Sequence, residues 1–288
     1  MNDVLVIAGP TASGKSRLAY LIAKNTGGEV IVADSMKVYR TADIGTSKPP
    51  SEYRDNVNYH LMDMISPDDR YDVGSFCRDA SSIIDSLHSR KKLPVIAGGT
   101  ALYVMKLTEG LADMPEVSSK IIRELESLSS EDLYEELCRV DPKRASELHP
   151  NMRKRIIRAL GIYRSSGKRM SEYILETKPP SYNFKLLTIE WKRETLYNRI
   201  DKRVDKMISQ GLVDEVRELY TRYGPDAPVF EGVGYRQLIP YIENRQDIAG
   251  AVGEIKKATR NYAKQQLTWW RNRDILRLDG TKLISVTG

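Results

Sequence analysis

A parallel β-sheet flanked by helices, with a helical subdomain inserted into it, is the α/β architecture the sequence predicts. Three observations predict it. Valine- and isoleucine-rich runs alternate with amphipathic stretches over the first hundred residues, which is the rhythm of βαβ units. A further run of this kind returns only at 186–191. The interval between has helical apolar spacing and is bounded by proline-bearing stretches, Met114-Pro115 and Lys178-Pro179-Pro180. In order, the predicted elements are a strand at 4–9 (VLVIAG), a helix at 16–25, a strand at 29–35 (EVIVADS), a helix from Ser75 to Arg90, a strand at 94–100 (PVIAGGT) and a strand at 186–191 (LLTIEW). A long helix from Glu194 to Tyr223 and another from Ile248 to Arg271 complete the pattern. The strands show little alternation, as expected where both faces are covered. The core is thus expected over 1–112 and 184–288, with the insertion over 113–183.

Composition narrows the function classes. With 288 residues, the chain can bury a substantial core without disulfides. Hydrophobic residues make up 41% and charged residues 29%, and no apolar run approaches the roughly 20 residues that span a bilayer. The opening MNDVLVIAG has neither the basic start nor the cleavage site of a secretion signal. A cytoplasmic protein with no membrane association is expected. Cys77 and Cys138 are expected as reduced thiols, and His60, His88 and His149 are too scattered for a metal cluster or a triad.

The net charge of +6 is modest, but its distribution is uneven. From Asn151 to Arg169 stand Arg153, Lys154, Arg155, Arg158, Arg164, Lys168 and Arg169 with no acidic residue. From Lys256 to Arg273 stand Lys256, Lys257, Arg260, Lys264, Arg271 and Arg273, again without an acid, interleaved with Tyr262, Trp269 and Trp270. Both runs suit a polyanion that offers bases for stacking.

Gly9-Pro10-Thr11-Ala12-Ser13-Gly14-Lys15-Ser16 fits G-x-x-x-x-G-K-[ST] between a predicted strand and a predicted helix. In this context the backbone amides of Gly9, Thr11, Ala12, Ser13 and Gly14 turn toward phosphate, Lys15 supplies a point charge, and the Ser16 hydroxyl can hold Mg²⁺. The pattern does not say whose phosphates are held, and ATP or GTP is the default. Asp34 closes the following strand at the sheet edge where ligands of open α/β folds bind. Its position alone allows a magnesium ligand, a turn cap or a base.

GPTASGKS, ADSMKVYR, DIGTSKP (43–49), GGTALY (98–103), EGL (109–111), RIIRAL (155–160), RIDKRVDKMISQGLVDEVREL (199–219), VGYRQL (233–238) and TRNYAKQQLTWWR (259–271) occur in this order over nearly the whole chain. Together they resemble the tRNA dimethylallyltransferases. The resemblance implies a P-loop NTPase-like fold repurposed for prenyl transfer to the N6 amine of the adenosine 3′ of the anticodon, with an insertion that embraces the anticodon stem-loop. It implies that the loop grips the diphosphate of dimethylallyl diphosphate, that Asp34 is the base, and that Thr100 helps aim the amine. A positioned carboxylate suits this reaction, because the exocyclic amine is a poor nucleophile. Arg203, one helical turn after Arg199 and beside the stripe Leu196, Ile200, Val204 and Met207, is the expected diphosphate clamp.

For tRNA the resemblance implies contacts from Asp34, Ser35, Met36 and Lys37, and from Lys154, Arg155, Ile156, Ile157 and Arg158. The target base is expected to leave its stack. The chain departs from the family at Lys37, where glutamine is common, and lysine offers donors only. Gln265 stands where arginine or lysine is frequent. Eukaryotic relatives add a C-terminal zinc finger, which is not expected here.

Three other readings compete. An adenylate isopentenyltransferase shares the cradle and the base but needs no second basic lobe. A P-loop kinase or NTPase would turn over ATP. A non-catalytic RNA-binding module would leave the cradle and Asp34 without a purpose. Mg²⁺ is the expected cofactor, and a monomer is expected.

Overall fold

The computed structural model describes residues 2–287. Its first unit begins with β1 (Asp3–Ala8), α1 (Lys15–Thr26) and β2 (Glu29–Val32). There follow α2 (Ser51–Asn56), β3 (Tyr59–His60), α3 (Val73–Ser89), β4 (Pro94–Ala97) and α4 (Ala101–Glu109). The chain then builds α5 (Ser119–Glu126), α6 (Ser130–Val140), α7 (Pro142–Glu147), α8 (Arg153–Ser166) and α9 (Met170–Leu175). It returns through β5 (Asn183–Glu190), α10 (Arg193–Ser209), α11 (Leu212–Tyr223), α12 (Tyr235–Ile242), α13 (Ile248–Trp270), β6 (Leu276–Asp279) and α14 (Gly280–Thr287).

The six strands form one sheet in the order β3-β2-β4-β1-β5-β6, and every pairing is parallel. β1 lies between β4 and β5, with Leu5 opposite Val95 on one side and Lys185 on the other. Its period-2 alternation sends Val4, Val6 and Ala8 into a core with Phe76 and Ile84 of α3 and Val104 of α4. Ile7 enters the opposite core with Ala19 and Ala23 of α1. Burial on both faces explains the missing polar alternation in these strands. The two-residue β3 and the exposed β6 escaped prediction because neither carries a buried apolar run.

The chain forms two compact units, Glu109–Pro180 and the remainder on either side of it. The insertion has its own core of Leu125, Leu133, Leu137, Ile156 and Leu160. A single helix from Glu194 to Tyr223 does not form. The chain breaks at Gly211, whose φ of 98° is left-handed and nearly closed to other residues, and α10 and α11 result. The break lets Val204 and Met207 of α10 and Leu212, Val216 and Leu219 of α11 share one apolar cluster with Tyr235 and Leu238 of α12. Among the described residues no helix is long and apolar enough to cross a membrane.

Candidate active site

Parallel strands present their C-terminal ends at one edge, so the loops after β1, β2 and β4 lie side by side, because β4 sits between the other two. The loop after β1 is the glycine-rich segment. Gly9 has a φ of 128°, and a Cβ there would lie 2.6 Å from Thr188 Oγ1 of β5. Ala12 holds a left-handed φ of 60°, uncommon outside glycine, and its carbonyl accepts from Arg199 Nε at 2.9 Å. Trp191 Nε1 donates to the Ser13 carbonyl at 2.9 Å, and the Arg199 guanidinium lies 4.3 Å over the Trp191 ring. No side chain caps the start of α1, so its first amides and positive dipole end are left for an anion.

Gln266 of α13 is the tie that sequence reasoning missed. It is buried; its Oε1 accepts from the Thr11 amide at 2.8 Å, and its Nε2 donates to the Gly99 carbonyl at 2.7 Å. One amide thus joins the loop after β1 to the loop after β4. The signal that could have revealed it is spacing: three residues after Ala263 and four before Trp270, it shares their face of α13, where an amide must find partners.

Asp34 follows β2, and its Oδ1 accepts from the Met36 amide at 3.0 Å, closing a turn that holds the carboxylate at the sheet edge. Thr100 follows β4. Its Oγ1 accepts from the Ser35 amide at 3.0 Å and donates to Ser35 Oγ at 3.3 Å. The predicted pair Asp34 and Thr100 is therefore brought together. Tyr262 of α13 joins them, with its hydroxyl 3.5 Å from the Gly99 carbonyl and pushed up to about 12 by burial and then by Asp34.

Three cations surround this carboxylate. Burial, reinforced by Arg203 and Lys37, lowers the Lys15 ammonium to about 7, and its Nζ donates to the Pro10 carbonyl at 2.8 Å. Burial lowers Lys37 to about 8, opposed by Asp34. Arg203 is likewise depressed by burial and supported by Asp34. The Arg199–Arg203 pair thus divides its work: Arg199 braces the loop, while Arg203 faces the carboxylate.

The structure corrects several expected RNA contacts. Ile156 and Ile157 are 0% and 9% exposed and form the insertion core, so their side chains cannot meet RNA. Arg153 is spent inside the insertion, where its Nη2 donates to the Glu126 and Leu128 carbonyls at 2.8 and 2.7 Å. Arg164 pairs with Glu136 and Lys168 with Glu176. Lys154, Arg155 and Arg158 remain exposed. In the second basic run, Lys256 and Arg260 pair with Asp205 and Asp201, fastening α13 to α10. Trp270 belongs to the sheet core and Tyr262 to the site, so only Trp269 keeps an exposed ring. The histidines have ordinary duties: His60 meets Glu29, His88 the Asp3 carbonyl, and His149 the Asn151 amide.

A glycine-rich loop leading into an uncapped helix, beside a carboxylate with three cations around it, is an arrangement of an α/β enzyme suited to a phosphorylated substrate. The family profile for IPP transferase matches residues 37–273, and that for isopentenyl transferase matches residues 2–63. A tRNA dimethylallyltransferase from Acetivibrio thermocellus is 40% identical over 94% of this chain and 89% of its own length. One from Geobacter sulfurreducens is 41% identical, with the same coverage. The crystal structure of a tRNA isopentenylpyrophosphate transferase from Staphylococcus epidermidis superposes with a TM-score of 0.72 at 36% identity, over 100% of this chain and 98% of that one. A eukaryotic dimethylallyltransferase acting on tRNA gives 0.87 at 32% identity, over 99% of this chain and 75% of that one. The chain belongs to the tRNA dimethylallyltransferase family, and it is a prenyl-transferring enzyme.

Proposed function

We propose that this enzyme transfers the dimethylallyl group of dimethylallyl diphosphate to the N6 amine of the adenosine 3′ of the anticodon. The observation that carries this reading is one carboxylate, Asp34, set among Lys15, Lys37 and Arg203 at the mouth of a phosphate cradle. Carboxylate and cradle serve the two halves of one displacement. The N6–C1 bond forms as the C1–O bond breaks, the electron pair leaves on the diphosphate oxygen, and the amine proton passes to Asp34. Thr100, held to Ser35 beside Asp34, aims the amine. The loop amides, Lys15 and Arg203 stabilise the charge gathering on the diphosphate.

Mg²⁺ fits this donor set in a limited way. Among the described residues no group of three or more histidines, cysteines or carboxylates could hold a metal, so the Ser16 hydroxyl at the start of α1 is the residue assigned to it, with phosphate oxygens and water as the other ligands. Bound there, the ion would neutralise part of the diphosphate charge.

The insertion is assigned to the anticodon stem-loop. Its helix α8 starts with three cations, no acid in the first turn and no side-chain cap, an arrangement that works against the helix dipole unless an anion arrives. Lys154, Arg155 and Arg158 supply the phosphate contacts. Ser35 and Met36 flank Asp34 where the flipped base would enter. The test is incubation with labelled dimethylallyl diphosphate, Mg²⁺ and either unmodified tRNA or AMP. Label in tRNA alone is the expected result, whereas label in AMP would make this an adenylate isopentenyltransferase.

A further inference from the structure

Lys37 and Lys48 are both buried lysines of the segment that follows β2, and they differ in how they are satisfied. The Lys48 side chain is 4% exposed, and its ammonium donates to the Tyr39 carbonyl at 2.7 Å, to Asp43 at 2.6 Å and to Asp63. It is a finished structural tie. Lys37 is 8% exposed, and its backbone is as firmly held, its carbonyl accepting from the Asp63 amide at 3.1 Å. Among the described residues, however, its Nζ has no hydrogen-bond partner. Its electrostatic neighbours are Asp34, Arg203, Lys48 and Lys15, three cations to one carboxylate. The Arg203 side chain is also without a hydrogen-bond partner among the described residues.

Neither tip is sealed: the Lys37 ammonium and the Arg203 guanidinium keep some access to solvent, so their unused donors stand open to an incoming ligand. A neutral base edge would leave the repulsion among Lys15, Lys37 and Arg203 uncompensated. A diphosphate would cancel it, with oxygens enough for every vacant donor.

We propose that Lys37 is a ligand of the donor's diphosphate, acting with Lys15 and Arg203, rather than a reader of the RNA. This rests on the prenyl-transfer reading above and moves Lys37 from the acceptor side of the reaction to the leaving-group side. As the C1–O bond breaks, the ammonium receives the charge that develops on the departing oxygen.

Calorimetric titration of the full chain with dimethylallyl diphosphate, and separately with inorganic pyrophosphate, tests this without tRNA. Lys37→Gln should weaken both ligands by about 10- to 100-fold, the loss of a charge-assisted contact, and Lys37→Arg should recover most of it. The KM for tRNA should stay within about twofold of the wild-type value, because the lost contact is made to the other substrate. Unchanged donor and pyrophosphate affinity overturns the proposal, whether the KM for tRNA rises, marking an RNA contact, or stays level, marking a packing role. Should Lys37→Gln fail to fold, Lys37→Met in the same titrations decides. Wild-type enzyme that binds pyrophosphate but labels no tRNA would instead defeat the acceptor assignment and leave this one standing.

Discussion

The two ends of β2 hold carboxylates five positions apart in sequence, each surrounded by three basic groups, with opposite outcomes. At the start of the strand Glu29 is 2% exposed and meets Lys92 at 2.5 Å, His60 at 2.7 Å and Arg90 at 3.0 Å. Burial would raise its pKa, but these hydrogen bonds outweigh burial and draw it down to about 2. Just past the other end, Asp34 accepts a hydrogen bond from a backbone amide, while Lys37 and Arg203 near it keep their donors unspent. The same residue types make a closed structural lock at one edge of the sheet and an open site at the other. What distinguishes them is whether the hydrogen-bonding capacity is used up inside the protein.

That contrast is broken most severely at the open end. Lys15→Ala should abolish prenyl transfer while the thermal melt stays near wild type, since the ammonium serves a ligand rather than a core. Near-normal turnover would remove the loop from the chemistry. Asp34→Asn should cost about 10²–10⁴ in rate with tRNA binding retained; loss of Mg²⁺ dependence with an unaltered pH profile would instead make Asp34 a metal ligand.

At the closed end the effect should appear in stability alone. A Glu29 pKa drawn from 4.5 to about 2 corresponds to on the order of 3 kcal/mol. Because the folded value is depressed, this contribution is whole above about pH 4.5 and is lost as pH falls toward 2. Glu29→Gln should lower the denaturation midpoint at pH 7, narrow its difference from wild type under acid, and leave turnover per folded molecule unchanged. A fall in turnover would show that the two ends of β2 are coupled.

A pH titration of donor binding is a gentler probe. Diphosphate should raise the Lys37 pKa above the value near 8 that burial sets, with Asp34 opposing and Arg203 and Lys48 reinforcing it. The affinity from this group is full below that value and declines as pH rises through the raised one. Donor affinity measured between pH 7 and 10 should therefore fall, Lys15 contributing as well because it too is lowered, to about 7, and the fall should be shallower in Lys37→Gln by up to tenfold per unit, the share of one proton.

The insertion repeats the contrast on a single helix, with Arg153 spent internally and Lys154 and Arg158 open. Neutralising both open residues should lower the salt slope of stem-loop binding by roughly 0.7–0.9 per lost contact and leave donor affinity unchanged. Parallel slopes would return them to an ordinary solvated face.

The parts of this arrangement legible in the sequence are those fixed by local pattern. The loop from Gly9 to Ser16 announces itself because backbone curvature and charge must occur at set spacings between a strand and a helix. The strands around it read from buried valine and isoleucine. What was illegible depends on partners distant in sequence. The RIIRAL segment serves as a motif and as a two-sided helix at once, so Ile156 and Ile157 face the insertion core while Lys154 and Arg158 face out. The helical apolar spacing runs on across Gly211, whose left-handed φ, set by the fold around it, separates α10 from α11. Gln265 and Gln266 look alike as residue types; Gln266 is the one on the buried face of α13, and its partners in the loops after β1 and β4 are distant in sequence.

The span of 255 residues between Thr11 and Gln266 also bears on how the enzyme is born. At a synthesis rate of roughly 5–20 residues per second, about 13–50 s separates the appearance of the loop from that of the side chain that braces it. During that interval β1 to β5 can pair, but the cradle lacks the tie to the Gly99 loop. Completion of the cradle therefore waits on α13, and prenyl transfer should switch on only after that helix has left the ribosome.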